Sequence, residues 1–588
     1  MIYPFSTYLY KDEGEVVLEL LDFLRWDDAI SSSVSAQAID LVVKTRSTKK
    51  RGGQLESFLQ EFSLNTDEGL AMMCLAEALL RIPDARTANA LIKDKVVAAN
   101  WLQKQGVGSK DWMAKAAGLG MALTRKTLDS AFSKLGEPLI REAMTRAMQM
   151  MGKQFVLGTS IDDAIKQAKK LEMQGYRMSY DMLGEGARDA KTAEDYFSSY
   201  KNAIANISEN NNRNITSNAG ISVKLSALHP RYIYSQKARC IPEITAKLKA
   251  LCMLAAQANI PLTVDAEEAN RLDLSIQIIE NIIKDDDLKD WAGFGLAVQA
   301  YQKRALPLIN YISNYTRTRG RSIQIRLVKG AYWDSEIKHA QMGGYKDYPV
   351  FTRKVNTDLS YLACAQAMLT HADVIYPMFA THNAHSICAI RHMAKSSDVA
   401  FEFQRLHGMG EGLMEQIIDE DDVRCSVYAP VGPHKDLLPY LVRRLLENGA
   451  NSSFVNQLLD HQKVPAKIIT DPVLSVRIAD HHRHRKIPLP KDLFGQNRLN
   501  SKGIDLDNQG DAMALVEYVQ DYDFLRPAVS YVNGKVYNDV SEGHIGAAFA
   551  SARSGFHRWN AKDIEERAVI IERCADMLEK KMDEFIAV

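Results

Sequence analysis

The chain has 588 residues, 46% apolar and 25% charged, a soluble globular composition that is too long for one ordinary domain and implies roughly two to four. Lys plus Arg and Asp plus Glu both total 73, so no excess of charge points to nucleic acid, an acidic substrate or an anionic membrane surface. The opening Met1-Ile-Tyr-Pro-Phe lacks the basic start, apolar run and small-residue cleavage site of a signal peptide, and no stretch reaches about 18 uninterrupted apolar residues.

From about Glu15 to Met151 apolar residues recur three and four apart, as in Leu55-Glu-Ser-Phe-Leu-Gln-Glu-Phe, which predicts an all-helical region. Met144, Met148 and Met151 on this spacing read as core filler rather than a binding surface. Seven scattered cysteines, with no C-x-x-C pair, read as buried thiols of a cytoplasmic protein.

After Gly175 the texture changes. Eight short β-branched or apolar runs, beginning near Arg177, Ile221, Pro261, Gly293, Ile323, Ile375, Val399 and Arg424, alternate with amphipathic helical patterns. Eight strands with helices between them predict an α/β fold, a closed (β/α)8 TIM-like barrel rather than an open doubly wound sheet. From about Asp460 to Pro527 periodicity fades and Pro, Asp, Asn and Gly accumulate, which predicts linker or irregular structure. His481, His482 and His484 lie there without the Cys or acidic partners of a metal site. A helical pattern resumes from Ile545.

In such barrels polar residues near the C-terminal strand ends surround the active site, while branched apolar side chains fill the interior. By that rule the mouth gathers Lys224, Asp265, Gln299, Arg326, Lys329, Thr381, His382, Gln404 and Tyr428. One charged residue in an apolar strand reads equally well as a structural ion pair; a whole ring converging on one mouth does not. On the helix after the eighth run, Tyr440, Arg443, Arg444 and Glu447 fall three or four apart and share a face. Paired guanidinium groups hold a carboxylate in a fixed plane, so the site looks made for a small carboxylic acid.

Other signatures fail on their spacing. Gly106-Val-Gly-Ser-Lys is not a full phosphate loop, and Gly408-Met-Gly-Glu-Gly lacks the dinucleotide fingerprint's third glycine position. His382 and His385 have no third metal ligand, and no nucleophile elbow is visible. A cationic, hydrogen-bonding cup without nucleophile or metal suits a cofactor that carries the hard chemistry.

Several long motifs in order resemble the proline dehydrogenase barrel of the bacterial proline utilization A family. They are Val223-Lys-Leu-Ser-Ala-Leu-His-Pro, Val264-Asp-Ala-Glu-Glu, Arg326-Leu-Val-Lys-Gly-Ala-Tyr-Trp-Asp, Ala380-Thr-His-Asn, Phe403-Gln-Arg-Leu-His-Gly-Met-Gly and Tyr440-Leu-Val-Arg-Arg-Leu-Leu-Glu-Asn. Upstream, Leu75-Ala-Glu-Ala-Leu-Leu-Arg-Ile-Pro-Asp and Met151-Gly-Lys-Gln-Phe-Val-Leu-Gly look like that family's arm and α domain. Downstream, Ala547-Ala-Phe-Ala-Ser-Ala-Arg-Ser-Gly-Phe-His-Arg-Trp and Glu565-Glu-Arg-Ala look like the opening helices of an aldehyde dehydrogenase. The resemblance divides the chain into a helical arm (1–60), a helical domain (61–150), the barrel (151–460), a linker (461–526) and a truncated aldehyde dehydrogenase start (527–588).

It implies non-covalent FAD in the barrel mouth. Gln299 and Arg326 should meet the flavin ring, and Val328, Lys329, Gly330, Ala331, Trp333, Thr352, Thr381, His382 and Glu447 should hold the rest of the cofactor. Proline should lie against the flavin with its carboxylate on Lys224, Arg443 and Arg444 and its ring against Tyr428 and Tyr440, while Asp265 ties the cationic network together. Arg326, Lys224 and Asp265 are the implied catalytic groups. Hydride passes to flavin N5, leaving pyrroline-5-carboxylate, which hydrolyses to glutamate semialdehyde; a membrane quinone then reoxidises the flavin. A cytoplasmic protein with transient peripheral contact at the inner face of the bacterial membrane follows.

Aldehyde dehydrogenase activity and DNA binding are not expected, because the former's catalytic segments and a ribbon-helix-helix start are not recognised in these residues. The enzymatic rival is a Schiff-base aldolase using Lys224, since a strand lysine in a barrel also marks that chemistry. A non-enzymatic scaffold is the other rival, and the full ring of polar mouth residues speaks against it.

Overall fold

The computed structural model describes residues 2–47, 87, 156–208, 214–395, 399–421, 423–433, 454–459, 462–495, 498–522, 530–532, 535–537 and 541–587. Two arm helices open the chain, α1 (Glu13–Leu24) and α2 (Asp28–Ser47). Asp12 caps α1 by accepting from the Gly14 and Glu15 amides, and Arg25 ends it in the left-handed conformation. Each helix buries one stripe, Val16, Val17 and Leu20 on α1 and Val34, Ala38 and Leu41 on α2, in the same apolar core as the barrel.

The eight expected strands are all present. They are β1 (Tyr176–Met182), β2 (Gly220–Val223), β3 (Leu262–Val264), β4 (Phe294–Gln299), β5 (Ile323–Val328), β6 (Ile375–Ala380), β7 (Glu402–Leu406) and β8 (Arg424–Val431). All neighbours pair in parallel, and β1 closes on β8 from Tyr176 opposite Cys425 to Met182 opposite Val431. The seventh strand begins at Glu402, later than the run from Val399 suggested.

Helices α3 (Ile161–Glu172), α4 (Ala190–Ser208), α5 (Lys237–Gln257), α6 (Leu272–Ile283), α7 (Ala305–Thr318), α8 (Trp333–Gly343), α9 (Lys354–Thr370), α10 (Ala384–Ala394) and α11 (Glu411–Asp421) lead into or link the strands. The sequence of β5 explains its placement, because Ile323, Ile325 and Leu327 are buried among the helices while Gln324 and Arg326 take the alternate face into the barrel.

The interior departs from the branched apolar filling expected of such barrels. Near the floor, Arg177 grips Glu402 (Nη2 to Oε1, 2.5 Å). Above them Gln404 Nε2 donates to Ser426 Oγ at 2.9 Å, and Ser426 donates to Glu402 at 2.7 Å. Buried polar groups are tolerated here because most of their hydrogen-bonding atoms pair with one another, Gln404 Oε1 being an exception. A cavity of about 420 Å³ lies beneath this layer, lined by Tyr176, Asn218 and Arg424 among others, with the charge of Arg177 already matched by Glu402.

The stretch expected to be irregular carries helices at Pro465–Ile468, Pro472–Arg477 and Gln509–Asp521. Two further helices, Glu542–Asn560 and Ile564–Lys580, bury no residue and leave Phe549, Phe556 and Ile571 exposed. Cys240, Cys252, Cys364, Cys388 and Cys425 are buried free thiols, as expected, whereas Cys574 is exposed, on a helix that buries none of its residues. Cys74, the methionines at 144, 148 and 151 and the helical domain at 61–150 lie outside the described residues, apart from Thr87. No described helix is long and apolar enough to cross a membrane.

Candidate active site

The C-terminal strand ends carry one connected hydrogen-bond network. Arg326 on β5 donates from Nη1 to Asp265 Oδ1 at 2.8 Å and from Nη2 to Ser222 and Ser179 Oγ at 2.9 and 3.0 Å. Its guanidinium carbon lies 5.0 Å from the centre of the Tyr428 ring. Asp265, just past β3, receives the Tyr428 hydroxyl on Oδ2 at 2.8 Å and faces Lys224 Nζ at 3.3 Å. Lys224, just past β2, also pairs with Asp181 at the end of β1.

Burial and neighbouring charges together shift Lys224 and Tyr428 of this cluster toward their protonated forms. Burial opposes the charge on Lys224, but Asp181, Tyr428 and Asp265 hold its ammonium well above the usual lysine range. Burial, followed by Asp181 and Asp265, pushes the Tyr428 phenol well above its ordinary value, so it stays a donor. Lys224 pairs with Asp181 and Arg326 with Asp265, while burial raises the Asp181 carboxyl, opposed by Lys224 and reinforced by Asp265.

A second group follows β4, β5 and the loop before α9. The Gln299 side chain donates to Glu267 O at 2.7 Å and accepts from the Ala331 amide at 3.2 Å, which fixes the turn after β5. Val328, the last residue of β5, accepts from the Ala300 amide at 2.8 Å. Gly330 takes φ +141°, and a Cβ there would stand 2.4 Å from the Tyr301 ring, so the backbone lies where only glycine fits. Lys329 pairs with Asp358. Burial alone would raise the Asp358 carboxyl, but Lys329 and Lys354 bring it down to about 2. Trp333 Nε1 donates to Phe351 O at 2.8 Å. Thr352 is buried and donates its hydroxyl to Glu13 Oε2 at 2.6 Å.

Beyond β6, Thr381 Oγ1 accepts from the Asn383 amide at 3.1 Å, and His382 Nε2 accepts from the Leu406 amide at 3.1 Å. This last contact sets the imidazole as the Nδ1–H tautomer. The structure thus brings Lys224, Asp265, Arg326 and Tyr428 into direct contact, with Gln299, Val328, Lys329, Gly330, Ala331, Trp333 and Thr352 in the adjoining network. Tyr440, Arg443, Arg444 and Glu447 lie outside the described residues.

Sequence reasoning passed over Asp181, Ser179 and Ser222. Asp181 was within reach, because Arg177, Ser179 and Asp181 alternate with the buried Met178 and Tyr180 along β1. Glu13 carried no such signal, since its partners stand more than 300 residues away.

A family model described as "Proline dehydrogenase" matches residues 164–457, and one described as "DNA-binding domain of Proline dehydrogenase" matches residues 54–155. The second match falls on the segment expected to be helical, almost all of it outside the described residues, and its description stands against the expectation of no DNA binding. The "Bifunctional protein PutA" of Klebsiella aerogenes is 42% identical over 97% of this chain and 47% of its own length. That of Escherichia coli strain K12 is 41% identical over 98% and 48%. The chain therefore spans about half the length of the curated relatives it matches. A solved structure of proline utilization A with proline bound in remote sites superposes with a TM-score of 0.78 at 41% identity, covering 98% of this chain and 58% of that one.

Proposed function

Because the chain belongs to the proline dehydrogenase family, we propose that it oxidises L-proline to pyrroline-5-carboxylate at the barrel mouth with FAD as cofactor. The observation that carries this reading is the contact cluster of Arg326, Asp265, Tyr428 and Lys224 at the C-terminal strand ends, inside the stretch the family model matches.

The residues present fit a flavin. Arg326 Nε and Gln404 Oε1 are buried without a protein partner and so keep hydrogen-bonding capacity for a polar heteroaromatic group. Gly330 lets the Tyr301 ring pack closely on the turn after β5, beside Lys329. Arg326 and Gln299 would lie against the ring, and Val328 to Ala331, Trp333, Thr352, Thr381, His382 and Glu447 would hold the remainder. When bound, FAD supplies a two-electron acceptor for hydride leaving the carbon next to the proline nitrogen, a chemistry no side chain offers.

The chain's own residues bind and orient. Arg326, pinned by three oxygens, presents a fixed positive charge that needs no reorganisation as negative charge develops. The pairing of Lys224 with Asp181 and of Arg326 with Asp265 leaves the substrate carboxylate to be met chiefly by Arg443 and Arg444, with Lys224 assisting. Tyr428 and Tyr440 would pack the proline ring. Electrons would pass on to a membrane quinone during transient peripheral contact from the cytoplasm.

The rival aldolase reading needs a neutral Lys224 amine, whereas Asp181 and Asp265 hold it as the ammonium. The test is to supply the purified chain with FAD, proline and a soluble electron acceptor and look by mass spectrometry for the imine lacking two hydrogens. Flavin-loaded protein that forms none overturns the reading.

A further inference from the structure

Glu13, the first residue of α1, is fully buried although its helix lies outside the barrel. A buried carboxylate is costly unless hydrogen bonds surround it, and an apolar residue would dock a helix at lower cost. Here Oε1 accepts from the Thr352 amide at 2.9 Å and from Asn356 Nδ2 at 2.7 Å, and Oε2 accepts from the Thr352 hydroxyl at 2.6 Å. The post-barrel segment closes on the same pair. The His484 amide donates to Thr352 Oγ1 at 2.9 Å, and Asn356 Nδ2 also donates to His482 O at 2.7 Å.

Thr352 is thereby fixed from outside the barrel at both amide and hydroxyl. From inside, Trp333 Nε1 donates to Phe351 O, and the Phe351 amide donates to Tyr301 O at 2.8 Å. The Tyr301 ring in turn fills the space beside Gly330. An unbroken series of contacts thus runs from the arm to the turn after β5. Arg483 reinforces it with a paired grip on Asp347, at 2.7 and 2.6 Å, and a contact to Asp12 at 3.3 Å.

We propose that Glu13 is a positioning residue for the cofactor site, setting the Phe351–Thr352 loop so that arm docking and FAD retention form one linked equilibrium. This rests on the reading of the barrel mouth as an FAD site. Linkage is reciprocal: whatever the docked arm adds to cofactor affinity, bound cofactor adds to arm docking.

The test uses the full chain. Glu13→Gln preserves size but places an amide group among donors, which should weaken FAD binding, read by fluorescence titration, by about tenfold or more. Glu15→Gln, on the exposed face of the same helix, should leave it unchanged. In the unmutated protein FAD should slow amide hydrogen exchange along α1, and Glu13→Gln should remove that protection. Unchanged FAD affinity in Glu13→Gln overturns the proposal. If that variant does not fold, exchange along α1 that is indifferent to FAD in the unmutated protein overturns it. An unmutated protein that takes up no flavin overturns the functional reading and, with it, this inference.

Discussion

The Tyr428 hydroxyl donates to Asp265 Oδ2 at 2.8 Å, joining the last strand of the barrel to the end of the third across the mouth. The opposite oxygen of the same carboxylate holds Arg326. Asp265 therefore sets two groups at once, one aromatic and one cationic.

Tyr428→Phe keeps the ring and removes the donor. A hydrogen bond to a charged group is worth roughly 1.5–3 kcal/mol, so kcat/KM for proline should fall about ten- to a hundredfold while FAD remains bound. Steady-state kinetics at matched flavin content check this, and unchanged kinetics would make the contact structural only.

Arg326→Met should be more severe. It strips a buried donor from Asp265, Ser179 and Ser222 together, and loss of one partner of a buried ion pair costs about 3–5 kcal/mol. Denaturant unfolding of the apoprotein reads the loss directly. Arg326→Lys should recover part of it, because an ammonium group keeps the charge but lacks the planar fork.

Much of this site was legible in the sequence because β-strands alternate. The Arg326 face of β5 follows from Ile323, Ile325 and Leu327 on the other, and the placing of polar residues at C-terminal strand ends marked Gln299, Gln404 and Tyr428. The polar interior was not legible, since it depends on Arg177 of β1 meeting Glu402 of β7 past the intervening β8, a register that no local pattern encodes. The helix Gln509–Asp521 was missed because the Gly- and Asn-rich stretch before it reads as loop. Glu13 looked like an ordinary helix-start acid, and only the fold discloses its burial.

Glu336, in the first turn of α8, is buried and accepts from the Ala269 amide at 2.7 Å. Burial pushes its carboxyl up to about 7, with the Ala269 amide opposing and Glu268 adding. Its native pKa exceeds its unfolded one, so the stability it confers is complete below about pH 4.5 and is lost as pH rises through about 7, a loss on the order of 3 kcal/mol. Glu336→Gln should therefore gain on the unmutated protein between about pH 5 and about pH 8 in urea unfolding. An equal difference at both pH values would contradict the assignment.

Arg444→Met tests the carboxylate clamp, which stands on the sequence alone. The methionine keeps helix propensity and an apolar stem while deleting the charged fork. Since Lys224 and Arg326 are already paired with Asp181 and Asp265, KM for proline should rise about ten- to a hundredfold with FAD retained. An unchanged KM would shift the role to Arg443, which Arg443→Met would then reveal.

The most direct measurement is the visible absorption spectrum of the purified chain, incubated with FAD, freed of excess and mixed anaerobically with L-proline. Flavin bands should stay with the protein and bleach when proline is added. Protein that retains no flavin, or whose flavin proline leaves oxidised, would contradict the proposed function.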